Sequence, residues 1–455
     1  MGPFPLQVFY LFEVLLVVLL FLVLYKRPVY EAMALAYLAT IMMTGRYDLF
    51  WKYLTYSSTS TLFYAIVAFL LVAHIFGETK VVEKIINFIL ASVGRFRGGA
   101  GYVSLLASTF MAALSGTGPG NVAATGVFTI PAMIETGFSR ALAATVEMSC
   151  STLGNIIPPS GIVILSWGLL DKLSPGAISS SQFVIAAYGI GLWFVIQRWL
   201  TLLVMCKYYN VKPVPAEARP SLNDSWNKGK WALILPLLIF IPLFLDAKFP
   251  GFLTARLGKE GVKAFSTCVL LFTPGMAGAY ALWIARRDIP EKMNLNGLVG
   301  MFRRSVMQTV PVAATIYLAY GLSMVFREIE MEKAVQQWFL GMGLNASSMI
   351  IVAPVFFMLL GMVLPGSSQI ALLGSAMIAT FASMGGNPVL FASMLPAMTG
   401  AMEGMTPPLA LCMYAAMGIA KSGFVETTKI TLVWVALHLL VSIILLTGVL
   451  PIFGL

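Results

Sequence analysis

Two strings about 250 residues apart end alike: Leu153-Gly154-Asn155-Ile156-Ile157-Pro158-Pro159 and Glu403-Gly404-Met405-Thr406-Pro407-Pro408. Each lies within an apolar, helix-length run that its prolines must interrupt. Each follows a second interruption, Ser115-Gly116-Thr117-Gly118-Pro119-Gly120-Asn121 in the first half and Leu364-Pro365-Gly366-Ser367-Ser368-Gln369 in the second. Breaks at membrane depth leave backbone N–H and C=O groups that lipid cannot satisfy, so they must face protein, water or a ligand. Half-helix N-termini attract an anion, and freed carbonyls with Ser, Thr and Asn oxygens form a hard oxygen cage that suits Na⁺. The expected cation ligands are Ser115, Gly116, Asn121, Thr152, Gly154, Asn155 and Pro158 in the first half, and Gly366, Ser367, Gly404, Thr406 and Pro407 in the second. The expected substrate contacts are Ser115, Asn121, Asn155, Ser367, Ser368, Thr399 and Glu403, with Ser151 a further candidate oxygen ligand. Any one of these small residues is explained by close helix packing alone. Four clusters, each with a helix breaker, point to binding.

Glu147 and Glu403 are the carboxylates within the two broken runs. An intramembrane charge costs ~2.5–3.5 kcal/mol on insertion scales, so such a residue usually faces the interior. Glu403, four residues before Pro407, is placed to accept from exposed amides; Glu147, eleven before Pro158, is expected nearer the interface. A structural acceptor role is favoured for both over proton carriage. Glu13 and Arg198 are read as residues of outer spans, pairing with each other or reaching the interface. The four cysteines are scattered without C-x-x-C spacing and read as small buried apolar residues. The two histidines, His74 and His438, are far apart, which disfavours a histidine metal site or proton relay.

The elements that position these groups follow from composition. With 59% hydrophobic and 11% charged residues in 455, the chain belongs in a bilayer, with room for about ten crossings of ~20 residues. The net charge of +10 sets topology rather than marking a nucleic-acid partner, since no basic run carries interleaved aromatics. Spans are expected near 5–25, 29–45, 58–76, 138–171, 182–206, 231–246, 263–285, 305–326, 388–420 and 427–450. The first lacks the basic start of a secretory signal and reads as retained. Regions 99–136 and 345–384 read as re-entrant hairpins, and 77–96 and 327–342 as helices lying in the interface plane.

Most of the 29 Lys and Arg fall on loops that share one face under this plan, making that face cytoplasmic and both termini extracytoplasmic. Phe76-Gly77-Glu78 aligns with Phe326-Arg327-Glu328, and a similar offset carries Pro158-Pro159 onto Pro407-Pro408. Five spans separate the starts of the two copies, and an odd number inverts the second. The expected fold is an all-α polytopic membrane protein with an inverted repeat, two re-entrant hairpins and two Pro-Pro-broken helices. Its divisions are N-terminal spans at 1–57, a first repeat at 58–206, a linker with connecting spans at 207–304, and a second repeat at 305–455.

Four strings resemble the large membrane subunit of TRAP transporters: Ser115 to Ala123, Thr129 to Gly137, Ser151 to Pro159, and Glu403 to Ala416. Val146-Glu147 and the Thr406-Pro407-Pro408 form look most like the TAXI branch. The likeness spans roughly residues 58–450. It implies a scaffold and a mobile transport domain moving as an elevator, Na⁺ as coupling ion, and a small organic acid as substrate. It also implies an extracytoplasmic substrate-binding protein, a small four-span membrane subunit, and a bacterial or archaeal cytoplasmic (inner) membrane. Residues 1–57 hold only two spans, so the small subunit would be a separate chain, and Gly366-Ser367-Ser368 departs from the Thr-Thr common after the second Leu-Pro. A stand-alone Na⁺- or H⁺-coupled carboxylate transporter is the alternative. An intramembrane serine hydrolase using Ser115 with His74 or His438 leaves the duplication unexplained.

Overall fold

The computed structural model describes residues 6–455 except 24, 26, 159, 363 and 408, and leaves some helical side chains, Ser115 among them, outside the description. All regular structure in the described residues is helical. Helices α1 (Leu6–Val23) and α2 (Val29–Thr44) pack together, and short α3 (Phe50–Leu54) leads onward. The first long series is α4 (Thr61–Glu78), α5 (Val81–Val93), α6 (Gly99–Ser115), α7 (Gly118–Glu135), α8 (Arg140–Ser151), α9 (Leu153–Ile156), α10 (Gly161–Leu173) and α11 (Ser180–Tyr208). A connecting region holds α12 (Leu222–Gly229), α13 (Leu235–Lys248) and α14 (Pro250–Ala285). The second series is α15 (Leu295–Glu328), α16 (Met331–Gly341), α17 (Ala346–Gly361), α18 (Gly366–Ser383), α19 (Pro388–Met398), α20 (Gly400–Met405), α21 (Leu411–Ala420) and α22 (Phe424–Leu446).

The same order occurs twice: a long helix ending in Glu, a surface helix, a helix pair with a tight tip, a helix broken twice, and a closing helix. Helix α5 buries Val81, Val82, Ile85, Ile86 and Ile89, an i, i+3/i+4 stripe that requires one face against protein. Glu78 and Glu328, at corresponding ends, are each tied down: Glu78 by Lys292 and Arg304 at 2.8 and 2.7 Å, Glu328 by Arg46 at 3.1 Å and the Tyr53 hydroxyl at 2.8 Å. Each surface helix therefore starts from an anchored point.

Two expectations about extent need correction. Residues 247–262, read as a loop, are largely helical, because α14 begins at Pro250 and turns at Gly258 (φ +69°), a conformation open to glycine. Helix α15 begins ten residues before the expected 305, started by Asn294, whose side chain accepts from the Gly297 amide at 2.7 Å.

The broken helices also break earlier than their prolines suggest. The first is interrupted at Thr152, makes the single turn α9, and is non-helical at Ile157, Pro158 and Ser160; the second bends at Thr399 (φ −104°, ψ −74°) before α20. Helix α8 is enclosed by α6, α7, α21 and α22, while α10 packs on α18 and α19. The two series thus share one core, with α15 against α2 and α4 on its flank.

Candidate functional site

Both tips and both breaks border one cavity of about 380 Å³. Gly116, Thr117, Pro119 and Gly120 come from the first tip, Asn155 from the first break, Pro365 and Ser367 from the second tip, and Gly400 and Glu403 from the second break. The facing wall comes from α2, α4 and α15, including Tyr30, Ile66, Leu70, His74, Thr309 and Val312.

Asn155 joins three of the four interruptions. Its Oδ1 accepts from the Gly118 amide at 3.2 Å, at the start of α7, and its Nδ2 donates to the Gly400 carbonyl at 2.5 Å. Glu403 does the matching job on the other side: its Oε2 accepts from the Gly366 amide, the first of α18. Each break therefore supplies a side-chain oxygen to the positive end of a hairpin's second helix, where unpaired amides need acceptors.

Glycines set the spacing. A Cβ on Gly154 would lie 2.6 Å from the Thr117 carbonyl oxygen, and one on Gly366 2.5 Å from the Gly400 Cα. On Gly404 it would lie 2.9 Å from Thr152 Cγ2, so the two breaks touch there. Gly116 ends α6 at φ +61°, the left-handed geometry that turns the tip. The nearest contacts of Gly154 and Gly366 are backbone against backbone, which only glycine permits.

The other expected ligands are placed as follows. Asn121 lies behind the first tip, fully buried, donating to the Ser108 carbonyl at 2.8 Å, with its own Oδ1 unpartnered. Thr152, Thr399 and Thr406 donate their hydroxyls to the carbonyls of Ser149, Leu395 and Met402; Thr399 and Thr406 keep oxygen lone pairs available, while Thr152 Oγ1 also accepts from Arg198. Ser368 is buried with an unpartnered hydroxyl. Pro158 and Pro407 do not border the cavity; the breaks they follow do. Ser115 closes α6, and its side chain lies outside the described ones.

Gln369 was not anticipated. It is the fourth residue of α18, as Asn121 is of α7; both are fully buried, both donate an amide to a carbonyl of the preceding segment, and both leave the amide oxygen unpartnered. A buried oxygen without a partner is costly unless something fills the role. The unpartnered oxygens, Asn121 Oδ1 beside the first tip and Ser368 Oγ and Gln369 Oε1 beside the second, are donors of the kind a hard monovalent cation takes. The signal available in sequence was the polar residue three positions after each tip glycine.

Glu147 lies in the protein interior. It is fully buried among α6, α7 and α8, receiving the hydroxyls of Ser104, Thr125, Thr129 and Ser151, all within 2.8 Å. Four short donors match the acceptor capacity of one carboxylate, which fits a structural acceptor. Arg198 is a correction, for it neither pairs with Glu13 nor reaches an interface. Also fully buried, it donates to the Ser149 carbonyl at 2.7 Å and to Thr152 Oγ1 at 2.9 Å, and lies 3.4 Å from His438 Nδ1. It stands at the carbonyl end of α8, where a cation offsets the helix dipole. His438 stacks on Phe194 at 4.2 Å and contacts the Ala397 carbonyl at 3.0 Å. Glu13 instead accepts from Thr40 at 3.2 Å.

The arrangement offers two helix N-termini and a mostly apolar, partly open volume, features of a site for a small anionic solute rather than of covalent chemistry. Comparisons with known proteins agree. Residues 16–452 match the family described as "Tripartite ATP-independent periplasmic transporter, DctM component". The chain is 26% identical to the C4-dicarboxylate TRAP transporter large permease protein DctM of Vibrio cholerae, over 84% of this chain and 82% of that one. It is 24% identical to the 2,3-diketo-L-gulonate TRAP transporter large permease protein YiaN of Escherichia coli, over 80% and 79%. In fold it resembles the Alcanivorax borkumensis YdaH transporter at a TM-score of 0.59, with 16% identity, covering 97% of each chain. Neisseria gonorrhoeae MtrF superposes at 0.60, with 14% identity, over 91% of this chain and 85% of that one. The chain therefore belongs to the DctM family, the large membrane permeases of TRAP transporters, and is a multi-pass membrane transport protein and not an enzyme.

Proposed function

We propose that this chain takes up a small organic anion by sodium coupling, as the permease of a binding-protein-dependent system in a bacterial or archaeal inner membrane. Its partners are an extracytoplasmic binding protein and a small four-span subunit, both termini are extracytoplasmic, and the nearest branch is TAXI. The hairpins and broken helices form the moving part of an elevator, and α2, α4 and α15 belong to the scaffold, with the two series inverted in the bilayer. The observation that carries this reading is Asn155, whose one side chain holds the first tip amide and a carbonyl of the second break. A ligand entering the cavity meets both halves at once. The two relatives reported above are named for C4-dicarboxylate and 2,3-diketo-L-gulonate, which supports an organic acid as cargo. Each Na⁺ moving inward supplies ~2.3 kcal/mol per 100 mV, enough for two or more ions to concentrate an anion.

The test is thermal denaturation of the purified full chain in NaCl against equimolar KCl or choline chloride, followed by uptake of a labelled organic-acid panel in proteoliposomes containing all three components. Sodium-specific stabilisation, with uptake that requires an inward Na⁺ gradient, is expected. Equal stabilisation by all three salts, with Na⁺-independent uptake, would overturn sodium coupling. Glu403 is the one carboxylate on the described lining, and the alternative, proton coupling, would use it. Uptake driven by an inward proton gradient without Na⁺ would favour it.

A further inference from the structure

A second concave site, rich in Lys and Arg, lies away from the cavity. Three segments remote in sequence build it: Lys84 on α5, Lys228 and Trp231 from the end of α12 and the turn after it, and Trp283, Arg286 and Arg287 at the end of α14. They enclose about 180 Å³. Helices α13 and α14 form a hairpin, so the start of the one and the end of the other reach the same level, and α5 packs beside both ends.

The charge of this site is unbalanced. Lys84 pairs with Asp288 at 2.5 Å, whereas no carboxylate among the described residues lies within ion-pair distance of Lys228, Arg286 or Arg287. Cations at a helix end are ordinary complements of its dipole, but that explains only the pair on α14, not Lys228 or the concavity. The aromatic residues are oriented for an interface. Arg286 lies 4.6 Å from the Trp283 ring centre and donates to the Trp283 carbonyl at 2.6 Å, which fixes its guanidinium above the indole. Tyr280 donates to the Trp231 backbone carbonyl at 3.0 Å, tying that turn to α14. Both indoles are about half exposed, at 54% each. Tryptophans at headgroup depth beside a basic pocket between helices are what an anionic lipid requires: rings for the glycerol region, cations for the phosphate.

We propose that this pocket binds the phosphodiester headgroup of an anionic phospholipid, held by Lys228, Arg286 and Arg287 between Trp231 and Trp283. Because it bridges α5 to the α13–α14 hairpin, an occupied pocket braces the surface helix that leads into the first re-entrant pair.

Native mass spectrometry of the full chain, with cardiolipin, phosphatidylglycerol or phosphatidylcholine added separately, tests this. Retention of the two anionic lipids at least tenfold above phosphatidylcholine is expected, falling at least tenfold in Lys228→Gln/Arg286→Gln/Arg287→Gln. A charge-matched control, Lys207→Gln/Lys421→Gln/Lys429→Gln, should retain them as the unaltered chain does. Equal loss in the control, or no loss in the pocket variant, overturns the proposal. Displacement of cardiolipin by millimolar glycerol 3-phosphate or inorganic phosphate also overturns it, by showing a soluble phosphate site. If the triple variant does not fold, Lys228→Gln alone, on an exposed helix, should lower retention about threefold, and unchanged retention refutes the assignment.

Discussion

Replacing Gly154 with Ala tests whether the first tip and the first break touch as described. The new Cβ would stand 2.6 Å from the Thr117 carbonyl oxygen, 2.8 Å from its carbonyl carbon and 3.3 Å from the Gly118 nitrogen. A relaxed C···O contact is about 3.3 Å, so tip and break must part by about 0.7 Å. None of the three atoms belongs to a side chain that can rotate away. The Gly118 amide bond to Asn155 Oδ1 begins at 3.2 Å and does not survive a parting of that size. Overpacking costs about 1–3 kcal/mol and a lost hydrogen bond about 1 kcal/mol, so the closed tip loses about 2–4 kcal/mol. At 1.4 kcal/mol per decade, any ligand that requires the closed tip binds at least tenfold more weakly. The assay is the Na⁺-dependent shift in thermal denaturation, titrated against KCl, with Gly418→Ala as control, since a Cβ there meets nothing within 4 Å. A folded Gly154→Ala protein with the denaturation midpoint and Na⁺ titration of the unaltered chain would refute the contact and the site built on it.

Three further outcomes follow from the same geometry. Glu403→Gln keeps an oxygen for the Gly366 amide and should retain most uptake, whereas Glu403→Ala leaves that amide unmet, costs about 1.5–3 kcal/mol, and should raise the half-saturating substrate concentration at least tenfold. Equal loss in both variants would instead mark an ionisable function. Arg198→Gln abandons the Ser149 carbonyl and Thr152 Oγ1 and should destabilise the chain by about 3 kcal/mol, read as a lower denaturation midpoint; Arg198→Lys, with no planar fork, should recover only part of it. Glu147→Gln turns an amide toward four hydroxyl donors, and a loss of about 1–3 kcal/mol without change in coupling-ion preference is expected; a switch of ion preference would contradict a structural role.

Much of the scaffold was legible in the chain itself because breakers and apolar runs act locally. Pro-Pro pairs end helices wherever they stand, and a glycine followed by proline or serine makes a tip, so both hairpins and both broken elements emerge near their expected limits. The amphipathic stripe of α5 was readable from residue types at helical spacing. Where α14 begins was not, because the segment before Gly258 is too polar to read as a span and is helical nonetheless.

The fate of individual polar groups depended on partners far away in sequence. Asn155 was recognisable as a break residue, but that it reaches Gly400, 245 positions on, is decided by the packing of α9 against α20. Glu147 looked peripheral by its distance from Pro158, yet hydroxyls from three helices surround it, and that ring exists only once α6, α7 and α8 pack together. Arg198 looked like a surface-seeking charge until the carbonyl end of α8 was brought beside it. Sequence by itself determined where backbone pairing must fail; tertiary structure decided which side chains meet the groups so released, because a hydrogen bond is a matter of a few ångströms in space and not of separation along the chain.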